Sequence, residues 1–142
     1  MRQGVGIIVL NKNNDVFVAK RKDNPIDKWQ MPQGGIDFNE TPFEAMIREL
    51  AEETSIKNIK VLKEIEKSLE YELPPNLLGK IWKGKFRGQK QKWYIVKFLG
   101  NDEEINLNTK HPEFIEWKWI NYNLITDVIV DFKKEVYEKL KI

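Results

Sequence analysis

A short acidic run between residues 49 and 53 constrains this chain more than any other feature. Its three glutamates, Glu49, Glu52 and Glu53, stand at positions i, i+3 and i+4 of a predicted helix. Residues three and four apart share a helix face, so the spacing predicts that the three carboxylates converge on one point. Like charges this close are unfavourable unless a cation lies among them, and hard oxygen ligands of this kind favour Mg²⁺ or Mn²⁺. The alternative interpretation is a solvated acidic helix face.

A pair of glycines and a helix start precede the acidic run. Gly34 and Gly35 indicate a loop where the backbone must approach another group closely. Thr41 is the predicted N-cap, Pro42 lies in the first turn and Glu44 takes the capping-box position. A loop that leads directly into an acidic helix favours the metal-site interpretation.

The spacing of the glycine and charged residues in this region resembles the signature of the Nudix hydrolases. The matching residues are Gly34, Glu40, Arg48, Glu49, Leu50, Glu52, Glu53 and Ile56. Ser55 departs from the pattern, because the family has glycine there, just past the helix end where a left-handed residue is usual. If Ser55 adopts that conformation, the strain is on the order of 1 kcal/mol, so the sequence alone predicts that Ser55→Gly stabilises the fold.

Apolar patterning predicts a single α+β domain spanning residues 1–142. Strands are predicted at residues 5–9 and 16–20, as an opening hairpin, and at residues 61–73, 92–99 and 114–120. The residues expected on one face of the third strand are Val61, Ile65, Leu69, Tyr71 and Leu73. The residues expected on the buried face of the first helix are Phe43, Met46, Ile47 and Leu50. Those that predict a C-terminal amphipathic helix are Ile129, Phe132, Val136 and Leu140. Two helices and a mixed sheet agree with the α/β/α sandwich that the resemblance implies.

Composition excludes several classes of protein. The chain contains no cysteine, which excludes disulfides, a thiol nucleophile and cysteine-ligated zinc. No apolar stretch approaches the roughly 20 residues needed to span a bilayer. The apolar run from Val5 to Leu10 is too short for a signal peptide. We therefore expect a cytoplasmic protein that needs neither a membrane nor an obligate protein partner.

Positive charge is concentrated in one part of the chain, although the net charge is only +2. Residues 73–101 contain no aspartate or glutamate. Their cationic residues are Lys80, Lys83, Lys85, Arg87, Lys90, Lys92 and Lys97. A basic segment beside an acidic metal site suits a polyanion such as a nucleotide polyphosphate or an RNA end. The alternative is a solvated, lysine-rich surface loop and strand.

The resemblance covers nearly the whole chain and narrows to one subgroup, which contains the bacterial RNA pyrophosphohydrolases and the dinucleoside polyphosphate hydrolases. The segments that match it in order lie at residues 31–35, 71–74, 88–93, 104–107 and 112–119. The segment Gly-Gln-Lys-Gln-Lys-Trp at 88–93 is specific to this subgroup. Lys90, between the two glutamines, resembles the RNA enzymes more than the plant diadenosine tetraphosphate hydrolases.

Roles for individual residues follow from this resemblance. The implied Mg²⁺ ligands, with Mn²⁺ or Zn²⁺ as substitutes, are Glu49, Glu52, Glu53 and a backbone carbonyl of Gln33 or Gly34. Glu113 is implied as a further ligand or general base, and its alternative is a surface carboxylate at a strand edge. Arg48 is expected to orient the catalytic carboxylates by ion pairing, with Glu40 in a similar supporting role. The residues implied in substrate binding are Arg2, Arg21, Lys90, Phe132 and Lys133.

The resemblance therefore implies a Mg²⁺-dependent hydrolase of nucleoside 5′-polyphosphates that converts 5′-triphosphate RNA to 5′-monophosphate RNA. Asymmetric hydrolysis of diadenosine polyphosphates is the alternative within the same class. A non-catalytic nucleotide- or RNA-binding domain is the alternative of another class. The intact set Glu49, Glu52 and Glu53 disfavours this last alternative, because a binding-only descendant would be free to lose one of them.

Overall fold

The structure, a computed structural model, describes residues 2–23, 29–72 and 88–124, with side chains except at residues 2, 66–72 and 88–89. Its strands are β1 (Arg2–Leu10), β2 (Val16–Arg21), β3 (Gln33–Gly35), β4 (Ile59–Glu72), β5 (Gly88–Phe98) and β6 (Phe114–Ile120). The α-helix in the described residues is α1 (Pro42–Thr54), and short 3₁₀ turns lie at Asp102–Glu104 and Tyr122–Leu124. None of the described helices is long and apolar enough to cross a membrane.

The strands form one mixed sheet in the order β4-β5-β1-β2-β6, with β3 paired to β1. Strands β1 and β5 are parallel, whereas the other pairs are antiparallel. The predicted opening hairpin is confirmed, because Leu10 pairs with Val16 across the turn. The predicted strands at 92–99 and 114–120 are confirmed as β5 and β6. The α+β class is therefore confirmed, whereas the predicted C-terminal helix lies outside the described residues.

The main core lies between α1 and one face of the sheet. The sheet contributes Val5, Ile7, Val9, Phe17, Ala19, Tyr94, Val96 and Phe98, and the helix contributes Ala45, Met46 and Leu50. The opposite face of the sheet is also buried, at Ile8, Trp93 and Ile95. Both faces of the central strands are thus withdrawn from solvent, which holds the strand ends in fixed positions around α1.

Two details of the predicted packing were wrong. Phe43 and Ile47 of α1 are 48% and 41% exposed, because the buried stripe runs through Met46, Leu50 and Glu53 and leaves both side chains at its edge. In β4 a bulge at Leu62 shifts the register, so that Val61 pairs with Val96 whereas Ile65 pairs with Trp93. Val96 and Trp93 lie on opposite faces of β5, and Val61 and Ile65 therefore do not share a face.

Candidate active site

Helix α1 carries Arg48 and three of the predicted metal-binding carboxylates, and its first turn is capped as predicted. The Thr41 hydroxyl accepts a hydrogen bond from the Glu44 N–H at 3.1 Å, and the Glu44 carboxylate accepts from the Thr41 N–H at 2.9 Å. Pro42 occupies the first helical position. This capping box satisfies two backbone N–H groups at the start of α1.

Arg48 connects the loop that precedes α1 to the helix through hydrogen bonds. Its guanidinium donates two hydrogen bonds to Glu40, at 2.7 and 2.9 Å, and one to the Gly35 carbonyl at 2.9 Å. It also donates to Glu49 at 2.9 Å and to Glu52 at 3.1 Å. The hydrogen bonds from Arg48, together with one from the Asp37 N–H, lower the pKa of Glu40 to about 2. Arg48 and Glu40 thus make the ion-pair contacts that the predicted orienting roles require.

Gly34 and Gly35, which were predicted to lie in a loop, belong instead to β3 and pair with β1; the segment from β3 to the start of α1 is called the glycine loop below. Gly34 still has the close contact expected of a glycine. A Cβ atom on Gly34 would overlap the side-chain carboxyl of Glu49. The Gly34 backbone pairs with Val5 of β1 and cannot easily move away. The carboxylate of Glu49 is therefore held directly against the backbone of Gly34. The Gly34 carbonyl is one of the two backbone carbonyls predicted to bind a metal.

Glu53 is the most unusual carboxylate of the site. Its side chain is only 3% exposed, and neither carboxylate oxygen has a hydrogen-bond partner within the described residues. Burial raises the pKa of Glu53 well above its usual range, and the negative charges of Glu49 and Glu113 raise it further. The charge of Arg21 opposes this shift. Burial likewise raises the pKa of Glu49.

Arg21 and Glu113 approach the buried carboxylates from the sheet side. Arg21 ends β2 and Glu113 precedes β6, where the Lys22 N–H donates to the Glu113 carbonyl at 3.0 Å. The Arg21 guanidinium lies 3.4 Å from the Glu113 carboxylate. Asp23 holds the same guanidinium with two hydrogen bonds of 2.7 and 2.8 Å. Sequence reasoning missed Asp23, although its position two residues after Arg21 in a turn was a usable signal.

The acidic run converges only in part. Glu49, Glu53 and Glu113 influence one another electrostatically, whereas Glu52 is 60% exposed and turns to Arg48. Within the described ranges, no three acidic or histidine side chains are arranged as a ready-made metal site. The donor set still fits a hard cation, because a buried carboxylate without a donor is a costly feature that a cation would compensate.

Only some of the other residues predicted to bind substrate lie in the described part of the chain. Lys90 is an exposed residue of β5, beside Gln3 of β1. Arg2 opens β1 and pairs with Gln89. Since Gly4 pairs with both Gly35 and Gln91, these strand ends border the glycine loop. Phe132 and Lys133 lie outside the described residues.

Ser55 ends α1 in the left-handed conformation that the sequence suggested, with φ 67°. Its hydroxyl also donates a hydrogen bond of 2.8 Å to the Asn106 carbonyl. Ser55→Gly relieves strain of about 1 kcal/mol but loses a hydrogen bond of about 1 kcal/mol, so we expect stability close to that of the native chain. Ser55→Ala keeps the strain and loses the bond, so it should unfold about 1 kcal/mol more easily in urea. A glycine variant less stable than the alanine variant would contradict this account.

Comparisons with known proteins agree with this geometry. The NUDIX domain family matches residues 1–140. An RNA pyrophosphohydrolase of Pelagibacter ubique is 62% identical over 99% of this chain and 89% of its own length. One of Rhodospirillum rubrum is 48% identical over 98% and 84%.

Solved structures share the fold at low sequence identity. The dihydroneopterin triphosphate pyrophosphohydrolase of E. coli superposes with a TM-score of 0.73 at 17% identity, covering 96% of this chain and 92% of that one. An Ap4A hydrolase of C. elegans, in a binary complex, superposes with a TM-score of 0.72 at 20% identity, covering 99% and 95%. These two similarities confirm the predicted fold.

Proposed function

Because the chain belongs to the Nudix hydrolase family, we propose that it is an RNA pyrophosphohydrolase. In this reaction water hydrolyses a phosphoanhydride bond of 5′-triphosphate RNA, which yields 5′-monophosphate RNA and pyrophosphate. The observation that carries the proposal is the buried Glu53 carboxylate, which lacks a hydrogen-bond donor among the described residues and is surrounded by Glu49, Glu113 and Arg21. The names of the relatives that are 62% and 48% identical support RNA as the substrate.

Members of the family use divalent metal ions, and Mg²⁺ is the ion we propose here. The residues that would hold it are Glu49, Glu52, Glu53 and Glu113, with the carbonyl of Gln33 or Gly34. When bound, such an ion neutralises phosphate oxygens and activates a water molecule. Mn²⁺ or Zn²⁺ would be substitutes with the same oxygen ligands.

The chain's own residues supply the positioning that phosphoryl transfer requires. Arg48 fixes the carboxylates of Glu49 and Glu52 relative to the glycine loop. Asp23 holds Arg21 in place beside Glu113, and contact with the phosphate chain is the role we propose for Arg21. Glu113 is half-exposed, so it can reach a water molecule or a metal at the open side of the site.

RNA differs from the alternative substrate in how far it extends. An RNA chain continues past its first nucleotide, so its later phosphates can reach basic residues bordering the site, such as Lys90 and Arg2. A dinucleoside polyphosphate is short and engages the site through its bridging phosphates. A cytoplasmic location belongs to the same proposal, because the proposed substrate is cellular RNA, and so does activity without an obligate partner protein.

Lys90→Ala is expected to raise KM for 5′-triphosphate RNA several-fold and to leave KM for a mononucleoside triphosphate nearly unchanged. Each lost phosphate contact also lowers the slope of log affinity against log salt by about one unit. The measurement is kcat/KM for both substrates at two salt concentrations, with diadenosine tetraphosphate assayed in parallel. Lys12→Ala is the matched control, since Lys12 is an exposed lysine in the turn at the other end of β1.

Two outcomes would overturn the RNA assignment. Equal losses on both triphosphates would mean that Lys90 serves the polyphosphate itself, which favours the dinucleoside substrate. Binding of triphosphate RNA without release of pyrophosphate would favour a non-catalytic domain.

A further inference from the structure

Behind the glycine loop, three side chains form a buried line of hydrogen bonds that connects β5 to β3. The Trp93 indole N–H donates to the Gln91 side-chain oxygen at 3.1 Å, and the Gln91 amide nitrogen donates to the Gln33 side-chain oxygen at 2.7 Å. Gln91 and Trp93 are fully buried and Gln33 is 7% exposed. These bonds lie on the sheet face opposite α1, since Trp93 and Gln91 alternate with the core residue Tyr94 along β5.

The donors and acceptors along this line of hydrogen bonds can be arranged in only one order. An indole nitrogen can only donate, so the Gln91 oxygen must face Trp93 and the Gln91 amide group must face Gln33. The Gln33 side chain is then required to present its oxygen. Trp93 is itself held, because its ring lies against Gly6 so closely that a Cβ atom there would overlap it. Gly6 in turn pairs with Gln33.

The line ends one residue from the contact between Gly34 and Glu49. Gln33 is the first residue of β3, and the peptide that joins it to Gly34 carries a carbonyl proposed as a metal ligand. On its other side, β3 is held by the bond from Arg48 to Gly35. The loop is therefore held from the α1 side by Arg48 and from the opposite side of the sheet by Gln91.

We propose that Gln91 is a positioning residue, which orients the Gln33–Gly34 peptide for metal binding through its hydrogen bond to Gln33. This inference rests on the proposed function, because it assumes the metal site. Outer groups that orient metal ligands typically change metal affinity by 10–100-fold when they are removed. A buried side chain that served packing alone would change stability without changing metal affinity.

The test is direct binding of Mn²⁺, without substrate, measured by titration calorimetry on the full chain. Gln91→Leu removes both bonds and is expected to weaken Mn²⁺ binding by about 10-fold. The double variant Gln33→Leu/Gln91→Leu should bind Mn²⁺ no more weakly than whichever single variant has the lower Mn²⁺ affinity. The losses of affinity should not add, because the two residues act through one hydrogen bond. Trp93→Phe removes the indole N–H that donates to Gln91 and tests the same line if Gln91→Leu does not fold.

Ile95→Ala is the matched control, because Ile95 is buried on the same face of β5 two residues from Trp93. It should lower the melting temperature and leave Mn²⁺ affinity unchanged. Native Mn²⁺ affinity in folded Gln91→Leu, or in Trp93→Phe where Gln91→Leu does not fold, would overturn the positioning role while leaving the proposed function intact. Failure of the native chain to bind Mn²⁺ would overturn both, so the two failures are distinguishable.

Discussion

Replacing Glu53 with glutamine is expected to lower kcat by at least ~10²-fold, the effect of losing a key electrostatic group, while it raises the melting temperature of the metal-free protein. Glutamine preserves the shape of the side chain and removes a buried charge that has no hydrogen-bond donor among the described residues. Glutamine is still a buried polar group, but it lacks the charge that burial and the neighbouring Glu49 and Glu113 disfavour, so we expect the melting temperature to rise by several degrees. Replacing a residue needed only for folding would instead lower both kcat and the melting temperature.

The gain in stability should depend on pH in a defined direction. The folded state raises the pKa of Glu53, so the native protein binds this proton more tightly than the unfolded chain does. Ionised Glu53 therefore costs stability at neutral pH, and this cost shrinks as the pH falls toward the unfolded value of about 4.3. The difference in melting temperature between Glu53→Gln and the native chain should narrow as the pH is lowered from about 8 to about 5.

Metal and charge controls complete this experiment. Mg²⁺ should raise the melting temperature of the native chain more than that of Glu53→Gln, because a ligand stabilises only the state that binds it. Glu103→Gln makes the same change of charge at an exposed position and should alter neither turnover nor the response to Mg²⁺. Near-normal turnover in a well-folded Glu53→Gln variant would contradict the assignment of Glu53 to the metal site.

The local order of elements could be predicted from the sequence because its signals are local. The capping box at Thr41 and Glu44 is a four-residue pattern, and the structure forms it as predicted. The opening hairpin follows from alternation on each side of the turn at 11–15, where the Asn11 side chain accepts two backbone hydrogen bonds. Neither feature depends on distant parts of the chain.

Features that depend on pairing between distant strands could not be predicted. The bulge at Leu62 is a feature of the pairing between β4 and β5, and alternation within β4 carries no sign of it. The exposure of Phe43 and Ile47 follows from where α1 meets the sheet, and that contact places Glu53 in the buried stripe. A helix pattern alone would not put a carboxylate there.

In the candidate site, too, local features could be predicted and long-range contacts could not. Helical spacing placed Glu49 and Glu53 on a shared face, but it could not show that Glu53 would be buried while the Glu52 side chain stays 60% exposed beside Arg48. Likewise, the glutamines at 33 and 91 lie 58 residues apart in sequence. Their hydrogen bond becomes visible only when β5 and β3 are both paired with β1.

Gly34→Ala is expected to lower kcat/KM by about 10²-fold, as displacement of a catalytic group by roughly 1 Å can do. The φ angle of Gly34 is not in the left-handed region, so alanine is allowed by the backbone, but its Cβ would overlap the Glu49 carboxyl. The loop is fixed by β1 and Arg48, and α1 is fixed by Met46 and Leu50 in the core. The Glu49 carboxylate must therefore move, and the Mg²⁺ concentration needed for half-maximal activity should rise.

A matched glycine separates this effect from overpacking as such. A Cβ on Gly100 would overlap the carboxylate of Glu104 in the same way, in the segment that follows β5. Gly100→Ala should cost stability of about 1–3 kcal/mol, as overpacking typically does, with kcat/KM unchanged. The double variant Gly34→Ala/Glu49→Gln should lose no more activity than the weaker of its two single variants, because the methyl group acts through Glu49. Fully additive losses would show that Gly34 acts on the reaction by another route, and an active Gly34→Ala variant would mean that the position of the Glu49 carboxylate does not limit catalysis.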